Sequence, residues 1–476
     1  MIEDFAIFIY HLKNELMRYV LFILLFHFSI TIKTQNHIVK ETSSDSLFLK
    51  WDNSYEPNNN TVLNLACPKI DTVRIAVIGL GNRGSMALER LPQIQNVKIV
   101  AIADIDSNKV NNSLKIYFKN KNLQLPQPFY EENDWKLICQ RKDIDLIYVC
   151  TNWKLHTPIA VYAMENDKHV AVEVPAALTI EECWQLVNTA EKTKKHCIQL
   201  ENCVYDFFEL TSLNMVQHNV FGEIVHVEGA YIHDLRHLNF HESYYWDHWR
   251  LKQLQVNDGN TYPTHGIGPI AHVLNIHRGD KFNYLVSVSS NQFGMSKYVK
   301  DNFSDSSEFQ NIDFKKGDIN TTLIKTYKGK TILLQHDVSS PRPYSRLYTL
   351  SGTNGFVQKY PKHSLAIEPN AHISLSSNQI DSLMLKYQPS VLKNIKEKAK
   401  EVGGHGGMDF IMDYRLIYCL RNGIPLDQDV YDAAEWSSII ELSKKSVDSG
   451  SLPIEIPDFT RGNWNRINKV SYFLKN

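Results

Sequence analysis

The sequence has no apolar run long enough to span a bilayer, no cysteine pair at metal or redox spacing, and no surplus of charge. Its most membrane-seeking stretch, residues 19–32 (YVLFILLFHFSITI), is 14 residues long and is interrupted by His27, Ser29 and Thr31. A spanning helix needs about 20 apolar residues. Arg18 precedes this stretch and the polar residues 33–36 follow it, the order of a secretory leader. Residues 1–36 are therefore read as a leader, with Met17 a second candidate start. Export to the periplasm or beyond is expected, with no stable membrane span after processing. The cysteines are seven, an odd count, at 67, 139, 150, 183, 197, 203 and 419. None forms a CxxC pair and several stand in apolar runs, so they read as buried thiols rather than a disulfide framework. Basic residues number 51 and acidic residues 52, a formal charge of −1. That balance excludes binding of nucleic acid by bulk positive charge. Internal repeats are also absent.

What is present is ordinary globular material. Hydrophobic residues make up 43% and charged residues 22%, which excludes wholesale disorder, collagen and coiled coil. A length of 476 residues predicts two or three domains. Residues 37–70 are polar and Asn-rich and read as a linker or arm. From Asp71 the grammar is strand alternating with helix: strands are expected at 73–78, 97–103, 144–150 and 169–174, which implies a parallel sheet. After about residue 203 it changes. Strands expected at 224–232, 285–290, 321–327, 331–336 and 347–351 are separated by turn residues such as Lys328-Gly329 and Asn354-Gly355. Late amphipathic helices are expected at 408–421 and 431–448. The reading is an α/β chain. A Rossmann dinucleotide-binding domain spans 71–203. A substrate-binding domain at 204–476 is built on a large, mostly antiparallel open sheet with C-terminal helices.

The segment Gly79-Leu80-Gly81-Asn82-Arg83-Gly84 follows the first strand and opens a helix, and a second strand ends in Asp104. In that context GxGxxG carries a mechanism. Gly79 permits the tight turn, Gly81 lets backbone approach a pyrophosphate, and Gly84 allows close helix–strand packing. The helix N-terminus faces the anion. Asp104 would accept from the ribose hydroxyls and repel a 2′-phosphate, so NAD is favoured over NADP, although Arg83 could meet a phosphate.

Further along stand Cys150-Thr151-Asn152-Trp153-Lys154-Leu155-His156-Thr157-Pro158 and Glu173-Val174-Pro175. Then come Tyr262-Pro263-Thr264-His265-Gly266-Ile267-Gly268-Pro269, SPRPYSR at 340–346 and GGHGGMDF at 403–410. Over residues 71–465 the chain resembles the glucose–fructose oxidoreductase / inositol dehydrogenase superfamily, and within it glycoside hydrolase family 109. Most of the superfamily reads E-K-P where this chain has Glu173-Val174-Pro175, and Val174 has no proton to give. The resemblance implies an α-N-acetylgalactosaminidase with a tightly held, recycled NAD. It implies cofactor contacts at Asn82, Arg83, Asp104, Trp153, Lys154, Leu155, His156, Glu173, Val174 and Asn202. It implies a sugar pocket of Tyr231, Arg250, Tyr262, Pro263, Thr264, His265 and Tyr344.

Most glycosidases use two carboxylates, and NAD-dependent ones are an exception. The cycle implied by the family oxidises C3 of the sugar, which acidifies the C2 proton. The C1 substituent then leaves, water adds, and C3 is reduced again with retention. Net redox is zero, and the cofactor carries the difficult chemistry. Histidine titrates near neutrality, so His265 is the candidate acid/base, with Tyr262 three residues before it. The division of proton transfers between the two stays open. Arg250 would stabilise an enolate or hold the acetamide. Alternatives are an NAD-dependent sugar dehydrogenase, the same cycle on another sugar or a β-linkage, and a noncatalytic sugar–NAD binder. The expected partner is a small-molecule or glycoconjugate sugar. The oligomeric state, a homo-oligomer included, stays open.

Other constellations carry less. His233, His237 and His241 recur at i, i+4 and i+8, the spacing of a zinc-binding helix face. A strand ending near His233 and Asn239 in the middle argue against a regular helix, and no metal is expected. The aromatic run 244–249 (YYWDHW) beside Arg250 offers either sugar stacking or interface packing. The basic run at 393–400 reads as a solvated helix face, and Tyr205 as structural. In GGHGG, His405 is a second candidate functional residue.

Overall fold

The computed structural model describes residues 38–43, 46–51 and 60–467, and the expected leader lies outside them. The chain forms two compact units, Met1–Ser54 and Tyr55–Asn476. In the first, β1 (Ile38–Ser43) and β2 (Ser46–Trp51) pair as an antiparallel hairpin, with Ile38 opposite Trp51 and Ser43 opposite Ser46. This hairpin falls within the stretch read as a linker or arm.

The second unit opens with a parallel sheet of β3 (Val73–Ile78), β4 (Val97–Ala103), β5 (Gln127–Phe129), β6 (Leu146–Val149), β7 (His169–Val172) and β8 (Cys197–Gln199). Its order is β5-β4-β3-β6-β7-β8. Helices cover both faces, so the inner strands are continuous apolar runs, and every residue of β6 and β7 is buried. Sequence order reverses between β3 and β6, which opens a crevice at their carboxyl ends, where such sheets hold ligands. The short strands β5 and β8 have three residues each, too few for a periodic signal.

The second sheet comprises β9 (Ile224–Ile232), β10 (Phe282–Ser289), β11 (Ile319–Thr326), β12 (Thr331–Asp337), β13 (Thr349–Gly352), β14 (Gly355–Gln358), β15 (Ser364–Ile367) and β16 (Ile454–Glu455). Within this unit they run β16-β10-β11-β12-β9-β13-β14-β15. Every pairing is antiparallel except β12 with β9. In β11 burial alternates along the strand, the mark of a sheet with one face on the core. The expected helices are present as Met408–Asn422 and Val430–Asp448. The latter starts on a capping box between Asp429 and Asp432 and packs against both β10 and the helix Ile180–Thr193, so it ties the two sheets together.

One close approach positions the site. The helix Thr264–Val273 lies directly on β9. A Cβ on Gly266 would stand 2.6 Å from Ala230 N, and one on Gly229 would stand 2.4 Å from Gly266 O. Only glycine at both positions lets these backbones touch, and the contact carries His265 to the side of Tyr231, at 5.4 Å between ring centroids.

Candidate active site

The crevice at the ends of β3 and β6 continues into one cavity of about 340 Å³ that reaches the start of the helix Thr264–Val273. Its dinucleotide end is built by glycines. Gly79 has φ +91, and a Cβ there would meet Cys150 C and O at 2.6 Å. A Cβ on Gly84 would stand 1.8 Å from Gly79 O, so the helix Asn82–Arg90 packs hard on the strand end. Gly81 differs: a Cβ there would meet nothing within 4 Å. It faces open cleft beside a helix N-terminus that has no side-chain cap, which leaves backbone donors for an anion. Asp104 ends β4, with Oδ2 accepting from Leu80 N at 2.6 Å and Oδ1 from Asp106 N at 2.9 Å. Asn152 Oδ1 is buried without a protein partner and its residue lines the same cavity. Open glycine, free N–H groups, an oriented carboxylate and an orphan acceptor together fit NAD.

Arg83 is already engaged. Its Nε donates to Glu173 Oε1 at 2.7 Å and its Nη1 to Asp409 Oδ2 at 3.0 Å. Burial opposes the guanidinium charge, but Glu173 and Asp409 outweigh it and hold its pKa well above the ordinary value. An arginine so paired is not waiting for a 2′-phosphate, which leaves Asp104 to favour NAD.

The other end is aromatic and basic. Trp153 stacks on Tyr262 at 5.7 Å and 20°, and its Nε1 donates to Val174 O at 3.1 Å. Arg250 lies over the Tyr262 ring at 4.7 Å and the Trp153 ring at 5.3 Å, an arrangement that steadies a buried cation. Its Nη1 donates to Tyr245 OH at 2.8 Å, whereas Nη2 is buried with no protein partner. Tyr231 joins the cluster 4.8 Å from Tyr262. Burial pushes the Tyr262 phenol well above its usual range, so it stays a donor. His265 stands 4.9 Å from Tyr262, and its Nδ1 faces both oxygens of Glu201, at 2.7 and 2.9 Å. Burial of Glu201 disfavours its charge, yet its contact with His265 prevails and holds the carboxyl below its usual value.

The cavity therefore gathers Gly79, Gly81, Asn82, Arg83 and Asp104 with Trp153, Leu155, His156, Glu173, Val174 and Asn202, and then Tyr231, Arg250, Tyr262 and His265. Five expected residues do not line it. Gly84 acts through packing. Lys154 is exposed on its helix. Pro263 and Thr264 are buried at the start of the helix Thr264–Val273, where Thr264 sits beside Glu201. Tyr344 stands 6.2 Å from Tyr231 and 5.1 Å from His233, with its hydroxyl taking a hydrogen bond from Arg346. His156 lines the cavity but braces the turn, its ring nitrogens 2.7 and 3.0 Å from the carbonyls of Pro175 and Thr151. The aromatic run supplies Tyr244, Tyr245, Trp246 and Trp249 to the wall.

The histidine trio does not share a helix face: β9 ends at Ile232 and only Arg236–Asn239 is helical between His233 and His241. Glu201, Cys203 and His265 do bring ligating atoms within 4.8 Å of one another. Hydrogen bonding occupies that set, because burial keeps the Cys203 thiol protonated and its Sγ donates to Asn202 Oδ1 at 3.5 Å. Glu201 and Asn152 were not singled out from sequence. Asn152 stood inside a quoted motif. Glu201 is 64 residues from its partner and carries no local signal.

The profile described as "Glycosyl hydrolase 109, C-terminal domain" matches residues 205–466, and that described as "Oxidoreductase family, NAD-binding Rossmann fold" matches residues 73–200. A protein of Bacteroides fragilis named α-N-acetylgalactosaminidase is 52% identical over 413 residues, covering 86% of this chain and 97% of that one. A protein of Bacteroides thetaiotaomicron named glycosyl hydrolase family 109 protein 1 is 48% identical over 448 residues, 91% of this chain and 94% of that one. Among solved structures, levoglucosan dehydrogenase with NADH and levoglucosan has a TM-score of 0.61 at 17% identity, over 81% of this chain and 100% of that one. Scyllo-inositol dehydrogenase from Lactobacillus casei with NAD(H) and scyllo-inositol has a TM-score of 0.58 at 13% identity, over 81% and 99%. These two share the fold.

Proposed function

The chain belongs to glycosyl hydrolase family 109, and we propose that it removes terminal α-linked N-acetylgalactosamine with retention, using a resident NAD that is recycled in each turnover. The observation that carries this reading is the single cavity that joins the Gly79–Gly81–Asp104 cradle to His265, Tyr262 and Arg250. NAD supplies reversible oxidation of a sugar hydroxyl. The chain's own residues supply the rest. Tyr262, kept protonated by burial, donates a hydrogen bond or proton to a sugar oxygen. His265, with Nδ1 engaged by Glu201, offers Nε2 as the base. Arg250 Nη2, buried and unpartnered, matches the negative oxygen that develops when the C2 proton is lost. The Trp153–Tyr262 stack is an apolar wall for one face of the sugar. Val174 in place of lysine weighs against a plain dehydrogenase.

Export, as the leader pattern reads, suits a polymer or glycoprotein substrate. Among the described residues no helix is long and apolar enough to cross a membrane. The test is purified protein on a chromogenic α-N-acetylgalactosaminide without added NAD, with phenol release and NADH absorbance followed together. Repeated turnover without NADH accumulation is expected. NADH formed in step with free sugar oxidation would assign a dehydrogenase instead. Phenol release from a different sugar or a β-anomer alone would move the specificity. Finding the full-length chain inside an expressing cell, with none exported, would count against the compartment.

A further inference from the structure

The aromatic run 244–249 belongs to the substrate domain, yet it serves both ends of the cavity. Tyr245 accepts from Arg250 Nη1 at 2.8 Å, and Trp249 meets Trp153 at 4.7 Å between ring centroids, so these two stand at the sugar end. Between them Asp247 has φ 53° and His248 φ 47°. Two consecutive left-handed residues turn the backbone sharply just after Trp246. The Asp247 carboxylate holds that turn by accepting from Lys252 Nζ at 2.6 Å.

Tyr244 and Trp246 face the dinucleotide end instead. Both line the cavity. The Tyr244 hydroxyl is within hydrogen-bonding reach of the side chain of Asn82, the first residue of the helix Asn82–Arg90, whose N-terminus has no side-chain cap. The Trp246 ring lies under Lys109 Nζ at 5.1 Å, and Lys109 stands on the helix Ser107–Ser113 that follows Asp104. The contact does not bury the indole: Trp246 is 49% exposed, Tyr244 41%, and Ile105 beside Asp104 56%. Aromatic surface left open on the wall of a cleft is surface that a flat ligand can cover.

Charge points to the same ligand. The lysine and arginine side chains that line the cavity are Arg83, Lys109 and Arg250. Arg83 is paired with Glu173 and Asp409, and Arg250 stands at the sugar end. Lys109 has no ion-pair partner among the described residues, only the Trp246 ring. An unpaired ammonium beside an uncapped helix N-terminus suits a diphosphate.

We propose that Tyr244, Trp246 and Lys109 are cofactor-binding residues, two of them supplied by the substrate domain: the Trp246 indole covers the adenosine of bound NAD, while the Lys109 ammonium and the Tyr244 hydroxyl meet its diphosphate. This rests on the cofactor reading of the cavity. It gives the first half of the aromatic run a ligand other than sugar, and makes the cofactor a bridge between the two domains.

The experiment uses full-length protein stripped of NAD, as wild type, Trp246→Ala, Trp246→Phe, Tyr244→Phe and Lys109→Gln. Dissociation constants are measured for NAD and for ADP, which lacks the nicotinamide half, together with the melting temperature of the stripped protein and KM for the glycoside. Trp246→Ala should weaken NAD and ADP by the same factor, about 5- to 100-fold, the size of one base stacked on an aromatic ring. It should melt with wild type, because the indole is half exposed. Trp246→Phe keeps a ring and should fall between the two. Tyr244→Phe should weaken both ligands about tenfold, the size of a hydrogen bond to a charged group. Lys109→Gln should weaken both and flatten the salt dependence of their binding. Wild-type affinity for NAD and ADP in Trp246→Ala would overturn the proposal, and a rise confined to KM for the glycoside would assign the indole to the sugar. Wild type that binds neither NAD nor ADP would overturn the cofactor reading and this proposal with it.

Discussion

His265 Nδ1 lies 2.7 Å from Oε1 and 2.9 Å from Oε2 of Glu201, a carboxylate with no exposed surface. The pair crosses from the end of the dinucleotide domain to the first turn of the helix Thr264–Val273. It is possible because Gly268 on that helix has no side chain: a Cβ there would stand 2.8 Å from Glu201 Cγ. A carboxylate on Nδ1 fixes the tautomer and points Nε2 at the cavity. Glu201 is therefore a positioning residue for the imidazole. Glu201→Gln keeps size, and keeps the Cys203 N–H bond now made at 3.0 Å, but removes the charge. It should lower kcat about 10²–10⁴-fold with KM, melting temperature and bound NAD unchanged. A loss confined to KM would contradict this role.

His265→Ala removes the base but leaves the glycine cradle intact. Turnover should fall by at least about 10²-fold, while NAD per chain stays at the wild-type level. Steady-state kinetics together with cofactor quantification of the same sample check this. Near-normal activity of the folded variant would end the assignment.

Gly81 and Gly84 belong to one motif but should respond oppositely. Gly84→Ala places a Cβ 1.8 Å from Gly79 O, and overpacking against backbone should cost about 3 kcal/mol or more in unfolding free energy. Gly81→Ala adds a Cβ that meets nothing in the protein within 4 Å. It should unfold like wild type yet bind NAD at least about tenfold more weakly, because its side chain enters the approach of the pyrophosphate. Denaturant unfolding of stripped protein and NAD titration separate the two effects.

Lys316 is fully buried, with Nζ donating to Gly317 O at 3.0 Å. Burial pushes its pKa down to about 8, although Asp258, Asp337 and Asp318 pull it up. The unfolded chain holds this proton up to about pH 10.4. Between these values the unfolded state binds more protons, so this group makes stability rise with pH through that window, by an amount on the order of 3 kcal/mol. Lys316→Met should flatten the rise. Urea unfolding of both proteins at several pH values across the window measures it, and parallel curves would refute the assignment.

Much of this protein is local chemistry, and local chemistry is legible in sequence. The β-branched run of β3, the glycines after it and Asp104 after β4 each satisfy a constraint within a few residues, so the Rossmann half and its glycine turn followed from spacing, whereas the other expected cofactor contacts came from the resemblance. Val174 in place of lysine, with the Tyr262–Pro269 motif, carried the resemblance that the family matches confirm. The lengths of β9, β11 and β12 were close because a half-buried strand alternates. Strands of two to four residues, such as β5, β8 and β16, show no period, and long-range pairing alone makes them strands.

What the sequence by itself determined was the fold class and the dinucleotide cofactor, and it named His265 as the residue to test as acid/base. Only the tertiary structure decided what that candidate is paired with, which residues share its cavity, and which face away. Glu201 and His265 are 64 residues apart, and His405 meets Arg83 across 322. Thr264 is buried at the start of its helix and Tyr344 is exposed beside His233, so neither lines the cavity. Spacing along a chain fixes neighbours only within one element. Contacts between elements depend on how they close on one another, and here two glycines at a helix–strand crossing set that closure.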